Sequence, residues 1–208
     1  MWDGLLGFAV VAGMLTMLPG LDTAQVLRSA TLGGPRVAYA TLAGILGGVF
    51  IWGAAAAIGV GALLEALRLA YDALQLGGAA YLIYTGARIV WAARHPAPST
   101  DLGAGEGARA GWVATFVRAL VITLTNPKVG LFYVAMLAPF LPDGVPPVAG
   151  GLLLAGIHNL EALAWYSVLI WGANLAREAF ARPRVRQWME RVSGAALVGF
   201  GVRVAFDR

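Results

Sequence analysis

The chain has 208 residues, 59% of them hydrophobic and only 12% charged, with a formal net charge of +4. So little polar surface excludes an ordinary soluble domain and points to a polytopic membrane protein. The absence of cysteine excludes a thiol-redox carrier, cysteine-based metal sites and a disulfide framework, and arginines set between apolar runs argue membrane topology rather than a nucleic-acid partner.

A bilayer-spanning helix needs roughly 20 mostly apolar residues. The first apolar run, about residues 4–18, follows Met1-Trp2-Asp3-Gly4, which lacks the basic start of a secretory signal, so the run is expected to be retained. It breaks at Pro19-Gly20-Leu21-Asp22 and resumes at Thr23. The second run, about 37–64, carries no charge, and its Gly44 and Gly48 have the four-residue spacing of a close-packing face. Glu65, Arg68 and Asp72 then form a short polar connection before a third run, about 73–92. Residues 96–111, rich in glycine and proline and preceded by His95, form the one candidate linker.

The fourth run, about 112–140, contains Asn126-Pro127-Lys128. Proline lacks a backbone donor and clashes with the preceding turn, so the helix should divide there. Asn126 is a good N-cap and Pro127 a good first residue for a second half-helix. Its positive dipole end and unpaired N–H groups would lie within the bilayer beside the Lys128 ammonium. A turn at residues 142–147 leads to a fifth run, about 148–175, interrupted by His158, Asn159 and Glu161. Five arginines between Arg177 and Arg191 precede the last run, about 192–206.

The architecture expected is all-α: one transmembrane domain over residues 1–208, with six helices in two three-helix repeats, about 1–95 and 112–208. Three spans is an odd number, so the second repeat is inverted relative to the first. The first helix of each repeat is interrupted at a proline, and matching interruptions mark a transport site near the midplane. Arginines concentrate in one set of loops, so the positive-inside rule places both termini outside.

Four segments in order are similar to one family. Pro19-Gly20-Leu21-Asp22-Thr23, Gly44-Ile45-Leu46-Gly47-Gly48, residues 76–86 and the Phe116–Phe132 stretch containing Asn126-Pro127-Lys128 resemble signatures of the LysE/RhtB amino-acid exporters. Leu21 stands where that family usually has a second proline. The resemblance implies a secondary transporter in the cytoplasmic membrane, carrying amino acids or related small zwitterions outward. No cofactor is implied, and a monomer and a homo-oligomer are equally compatible with the sequence.

Substrate binding is expected at Pro19, Gly20, Asp22, Thr23, Asn126, Pro127 and Lys128. A carboxylate within the bilayer needs a partner, so Asp22 is read as a substrate-ammonium acceptor, a proton carrier or a helix cap. Lys128 is expected to meet either Asp22 or a substrate carboxylate. His158, Asn159 and Glu161 offer either proton coupling or interhelical hydrogen bonds. His158 and Glu161 share a helix face, but two ligands are too few for a closed metal site. No phosphate-binding loop or nucleophile triad is present, so no enzyme and no ATP coupling is expected. The alternatives are a small-ion or divalent-cation exporter and a membrane subunit that transports nothing.

Overall fold

A computed structural model describes residues 2–66, 76, 77, 79, 80, 83, 84, 86–88, 90, 91, 111–142, 144–175 and 182–206. Its helices are α1 (Trp2–Met17), α2 (Leu21–Ala66), α3 (Trp112–Thr125), α4 (Pro127–Phe140), α5 (Pro147–Trp171) and α6 (Pro183–Phe206). The described residues between 76 and 91 are helical as well. The linker expected at 96–111, Gly111 apart, lies outside the described residues, as do Arg68, Asp72 and His95.

The chain is an all-α polytopic membrane protein. Among the described residues two helices are long and apolar enough to cross a bilayer, Leu21–Gly61 within α2 and Pro147–Trp171; a third is counted if α3 and α4 form one span bent by 59°. Six spans are expected from the sequence; the third expected run lies largely outside the described residues, α6 is not among the helices apolar enough to cross, and two physical features lower the count further. The 16 residues of α1 fall short of the roughly 20 that a bilayer requires. The 41 apolar residues of α2 would reach about 60 Å, about twice the hydrocarbon core. Inside α2 the helix is interrupted at Gly34, whose φ of 76° and ψ of −179° are non-helical. Only glycine adopts such a backbone readily, and Pro35 then restarts the helix at the position where its missing N–H costs nothing.

Small residues let these helices approach closely. In lipid there is no hydrophobic drive between helices, so packing contacts carry the association. On the α2–α3 face, a Cβ at Gly44 would stand 2.8 Å from Ala119 Cβ, and one at Gly48 would stand 2.7 Å from Thr123 Cγ2. The Gly44/Gly48 spacing is therefore a real contact face. The second half of α2 meets α5 in the same way: a Cβ at Gly151 would lie 2.5 Å from Ala57 Cβ, and one at Gly53 would lie 2.6 Å from Ala155 Cβ. Gly86 and Gly194 make a third such crossing, onto α6.

One buried cluster joins Phe8, Val11 and Ala12 of α1 to Phe132, Tyr133 and Met136 of α4 and Leu154 of α5. A second joins Val26 and Leu42 of α2 to Ala119 of α3 and Tyr166 of α5. Large apolar side chains also face outward, with Val113, Val117 and Val121 forming an exposed stripe along α3, as suits a lipid-facing surface.

Several arginines expected in loops lie on helices instead. Arg28 is in α2, Arg118 in α3, and Arg184, Arg186 and Arg191 are in α6. Arginine is a good helix former, and α2 and α6 begin before the long apolar runs they carry.

The glycine packing makes a paired prediction. Gly151→Ala should destabilise the protein by about 1–3 kcal/mol through overpacking. Gly156→Ala, on the same helix but with nothing within 4 Å of a Cβ, should be neutral or stabilise by about 0.5–1 kcal/mol. Thermal unfolding of the two variants in detergent reads the difference.

Candidate functional site

Each proline frees the carbonyl four residues before it, because it supplies no N–H to that oxygen. Pro19 frees Leu15 O, and Lys128 Nζ donates to it at 2.8 Å, with a second, longer contact of 3.4 Å to Leu18 O. Pro127 frees Thr123 O, which accepts from Asn126 N at 3.2 Å and from Trp52 Nε1 at 3.4 Å. A cation at the C-terminal end of α1 is also favoured by the helix dipole. The lysine of the second break therefore closes the backbone of the first.

Asn126 caps α4 as expected. Its φ and ψ of −74° and 109° are extended, its Oδ1 accepts from Lys128 N at 3.0 Å, and Pro127 occupies the first turn. The expectation of unpaired N–H groups at this helix start is corrected by the geometry. The amides of Val129 and Gly130 both donate to Asn126 O, at 3.1 Å each, so one asparagine occupies the donors on both its oxygens.

Asp22, in the first turn of α2, turns its carboxylate across to the other break. Thr123 Oγ1 donates to Oδ1 at 3.4 Å and Asn126 Nδ2 to Oδ2 at 3.5 Å. Both bonds are long for their type and correspondingly weak. Thr23 is buried beside it. At Gly20, a Cβ would sit 3.6 Å from Lys128 Nζ, an ordinary contact distance, so Gly20 lies beside the lysine's amine. Pro19, Gly20, Asp22, Asn126, Pro127 and Lys128 thus gather where two helix breaks face each other. Asp22 and Lys128 both line a cavity of about 20 Å³ with Thr16, His158, Ala162 and Tyr166. That volume holds about one water.

His158, Asn159 and Glu161 do not act as one cluster. His158 is buried, with Nε2 3.0 Å from Thr16 Oγ1 and Nδ1 3.0 Å from Tyr133 OH. Thr16 donates its one hydroxyl proton to Ala12 O at 2.9 Å, so His158 Nε2 must be the donor to Thr16 and Nδ1 the acceptor from Tyr133. A neutral imidazole satisfies every partner. Asn159 Nδ2 donates to Leu46 O at 3.1 Å, tying α5 to α2. Glu161 lies over Gly13, where a Cβ would be 3.5 Å from its Oε1, and its Oε2 is buried without a hydrogen-bond partner among the described residues.

Sequence reasoning missed Thr123, Thr16, Tyr133 and Tyr166. Thr123 had a signal, since it lies four residues before Pro127. The other three carry none, because only packing brings them to the cavity. Among the described residues no group of three or more His, Cys, Asp or Glu side chains could hold a metal ion.

The family model for the LysE type translocator matches residues 13–208. The chain belongs to the LysE type translocator family. As a translocator it is a transport protein and not an enzyme. It is similar to an uncharacterised membrane protein of Pseudomonas aeruginosa, 30% identical over 206 residues that cover 98% of this chain and 94% of that one. It is 27% identical to the threonine efflux protein of Escherichia coli over 206 residues, 96% of each chain. The leucine efflux protein of an Enterobacter species is 28% identical over 200 residues, covering 95% of this chain and 93% of that protein. No solved structure matches the chain.

The cap gives a separable test. Asn126→Ala in this translocator should cost about 1–2 kcal/mol of stability, while Asn126→Ser, which retains a capping oxygen, should recover most of it. Equal losses in denaturant-monitored unfolding would show that Asn126 is not acting as a cap.

Proposed function

We propose that this translocator exports amino acids or related small zwitterions across the cytoplasmic membrane by alternating access between two inverted three-helix halves. The observation that carries the proposal is a pair of opposite charges, Asp22 and Lys128, on the wall of one small cavity between two facing helix breaks. A zwitterion carries the complementary pair. Its ammonium would replace Thr123 and Asn126 on Asp22, and its carboxylate would replace the carbonyls of Leu15 and Leu18 on Lys128, aided by the positive end of α4. Relatives named for threonine and for leucine efflux support the substrate class.

In this arrangement α1 with residues 21–33 forms the first span, and residues 35–66 the second. The helical residues within 76–91 belong to the third, α3 with α4 forms the fourth, and α5 and α6 complete the second half. Arg28, Arg36 and Arg118 then lie on the cytoplasmic side and both termini outside. A cavity the size of one water cannot hold an amino acid, so loading requires the two breaks to separate. The long Asp22 bonds are the ones to yield first. No ATP-binding motif is present in the sequence, so a gradient drives export, with Asp22, Lys128 and Glu161 as the available titratable groups. Of these, Glu161 has a carboxylate oxygen left over for a proton.

Asp22→Asn and Lys128→Ala should each reduce efflux of a labelled amino-acid panel by about tenfold or more, since each removes a charge-assisted bond. Wild-type rates in both variants, at normal membrane abundance, would sink the site. For topology, accessibility tags at Gly105 and Asp143 should report opposite faces, with Gly105 cytoplasmic; both on one face would rule out the inverted arrangement.

A further inference from the structure

A second cavity, of about 80 Å³, lies between the first third of α2 and the start of α3. Its polar lining is Gln25, Arg28, Ser29, Thr41, Thr115 and Arg118. Among the described residues that line it, two are arginines and none is acidic, a lining suited to an anion. Gln25 Nε2 is buried with no hydrogen-bond partner among the described residues. A buried amide donor left unpaired is costly, and an acceptor oxygen on a ligand would satisfy it. Ser29 and Thr41 pair their hydroxyls at 2.7 Å on the adjacent wall.

The cavity is in line with the central site. Gln25 and Ser29 follow Asp22 by three and seven residues, and Ala119 and Thr115 precede Thr123 by four and eight. On each helix these positions stack on one face. A helix rises about 1.5 Å per residue, so Ser29 lies about 10 Å along α2 from Asp22. Asp22 lines the central cavity and is bonded by Thr123, so these two helix faces lead from one cavity toward the other. An arginine-lined chamber in line with the central cavity has the layout of an antechamber.

We propose that this second cavity is a loading site that takes the carboxylate of the outgoing amino acid on Arg28 and Arg118, with Gln25 Nε2 as a third donor, before the ammonium passes to Asp22. Planar guanidinium groups suit a carboxylate because they can donate two parallel bonds. The ammonium, trailing or leading, meets no carboxylate until Asp22, which gives transfer a direction. This site rests on the reading of the chain as an amino-acid exporter.

The test is uptake of labelled threonine and leucine into inside-out membrane vesicles, with the initial rate followed against concentration. Arg118→Gln and Arg28→Gln should raise the half-saturating concentration by about tenfold, the loss of one charge-assisted bond, and leave the maximal rate within about twofold. Arg118→Lys, which keeps the charge and the topology signal, should recover part of the loss. Gln25→Leu and Thr115→Val remove lining polarity without altering charge and should raise half-saturation by a smaller factor. They carry the test if an arginine variant fails to reach the membrane. A 2-hydroxy acid, which has the carboxylate and no ammonium, should compete in wild type and lose that competition in Arg118→Gln. Unchanged half-saturation in all these variants overturns the loading site, as does a fall in maximal rate alone. If Asp22→Asn abolishes uptake while the arginine variants behave as wild type, export stands and the loading site falls. If wild type moves no amino acid, both fall together.

Discussion

A carbonyl without a donor is expensive in hydrocarbon, and the prolines at the two facing breaks create two of them. The four-residue offset of the helical ladder leaves Leu15 O open because of Pro19, and Thr123 O open because of Pro127. The first is closed by the Lys128 ammonium at 2.8 Å. The second is closed by Asn126 N and the Trp52 indole. Much else in the site follows from that requirement. Lys128 must reach back to α1, and Asn126 must cap α4 so that its start does not add further open groups. Each break is completed by the other or by the helix beside it, so neither can move without exposing polar backbone.

Such mutual completion suits a binding site that has to open. Lys128 and Asp22 are already held by protein groups, and a zwitterion brings replacements for both sets. The exchange is close to even in hydrogen bonds, so a substrate could drive separation of the breaks without a large loss of satisfied polar groups. The partners of Asp22 at 3.4 and 3.5 Å are the weaker set beside the 2.8 Å bond of Lys128 to Leu15 O. The glycine crossings at Gly44/Gly48 and at Gly53/Gly151 hold the part of α2 after Gly34 closely against α3 and α5.

The polar residues of α5 divide by their surroundings. His158 is held as a neutral imidazole by a hydroxyl on each nitrogen and is stacked on Tyr133, with ring centroids 5.9 Å apart. That is the condition of a structural residue. Asn159 is spent on the backbone of α2. Glu161 is different, because one of its carboxylate oxygens is buried without a hydrogen-bond partner among the described residues.

The sequence by itself determined that the chain is a helical membrane protein, where its helices break and which charges lie at the breaks. These are local properties: an apolar run is read within about 20 consecutive residues, and the missing N–H of proline and the capping oxygen of asparagine act over four residues or fewer. Pro19 and Pro127 located both halves of the candidate site, and Thr123 could have been read from the same four-residue offset. Tertiary structure alone decided what those residues meet. Lys128 binds the carbonyls of Leu15 and Leu18, Asp22 reaches Thr123 and Asn126, and Thr16 and Tyr133 fix the tautomer of His158. Each of those partners is distant in sequence and chosen by helix packing. The same limit explains the free N–H groups expected at α4, which Asn126 in fact occupies, and the arginines expected in loops that stand on helices. A side chain's chemistry is written in the chain, but its partner is set by the neighbour that close glycine packing brings within reach.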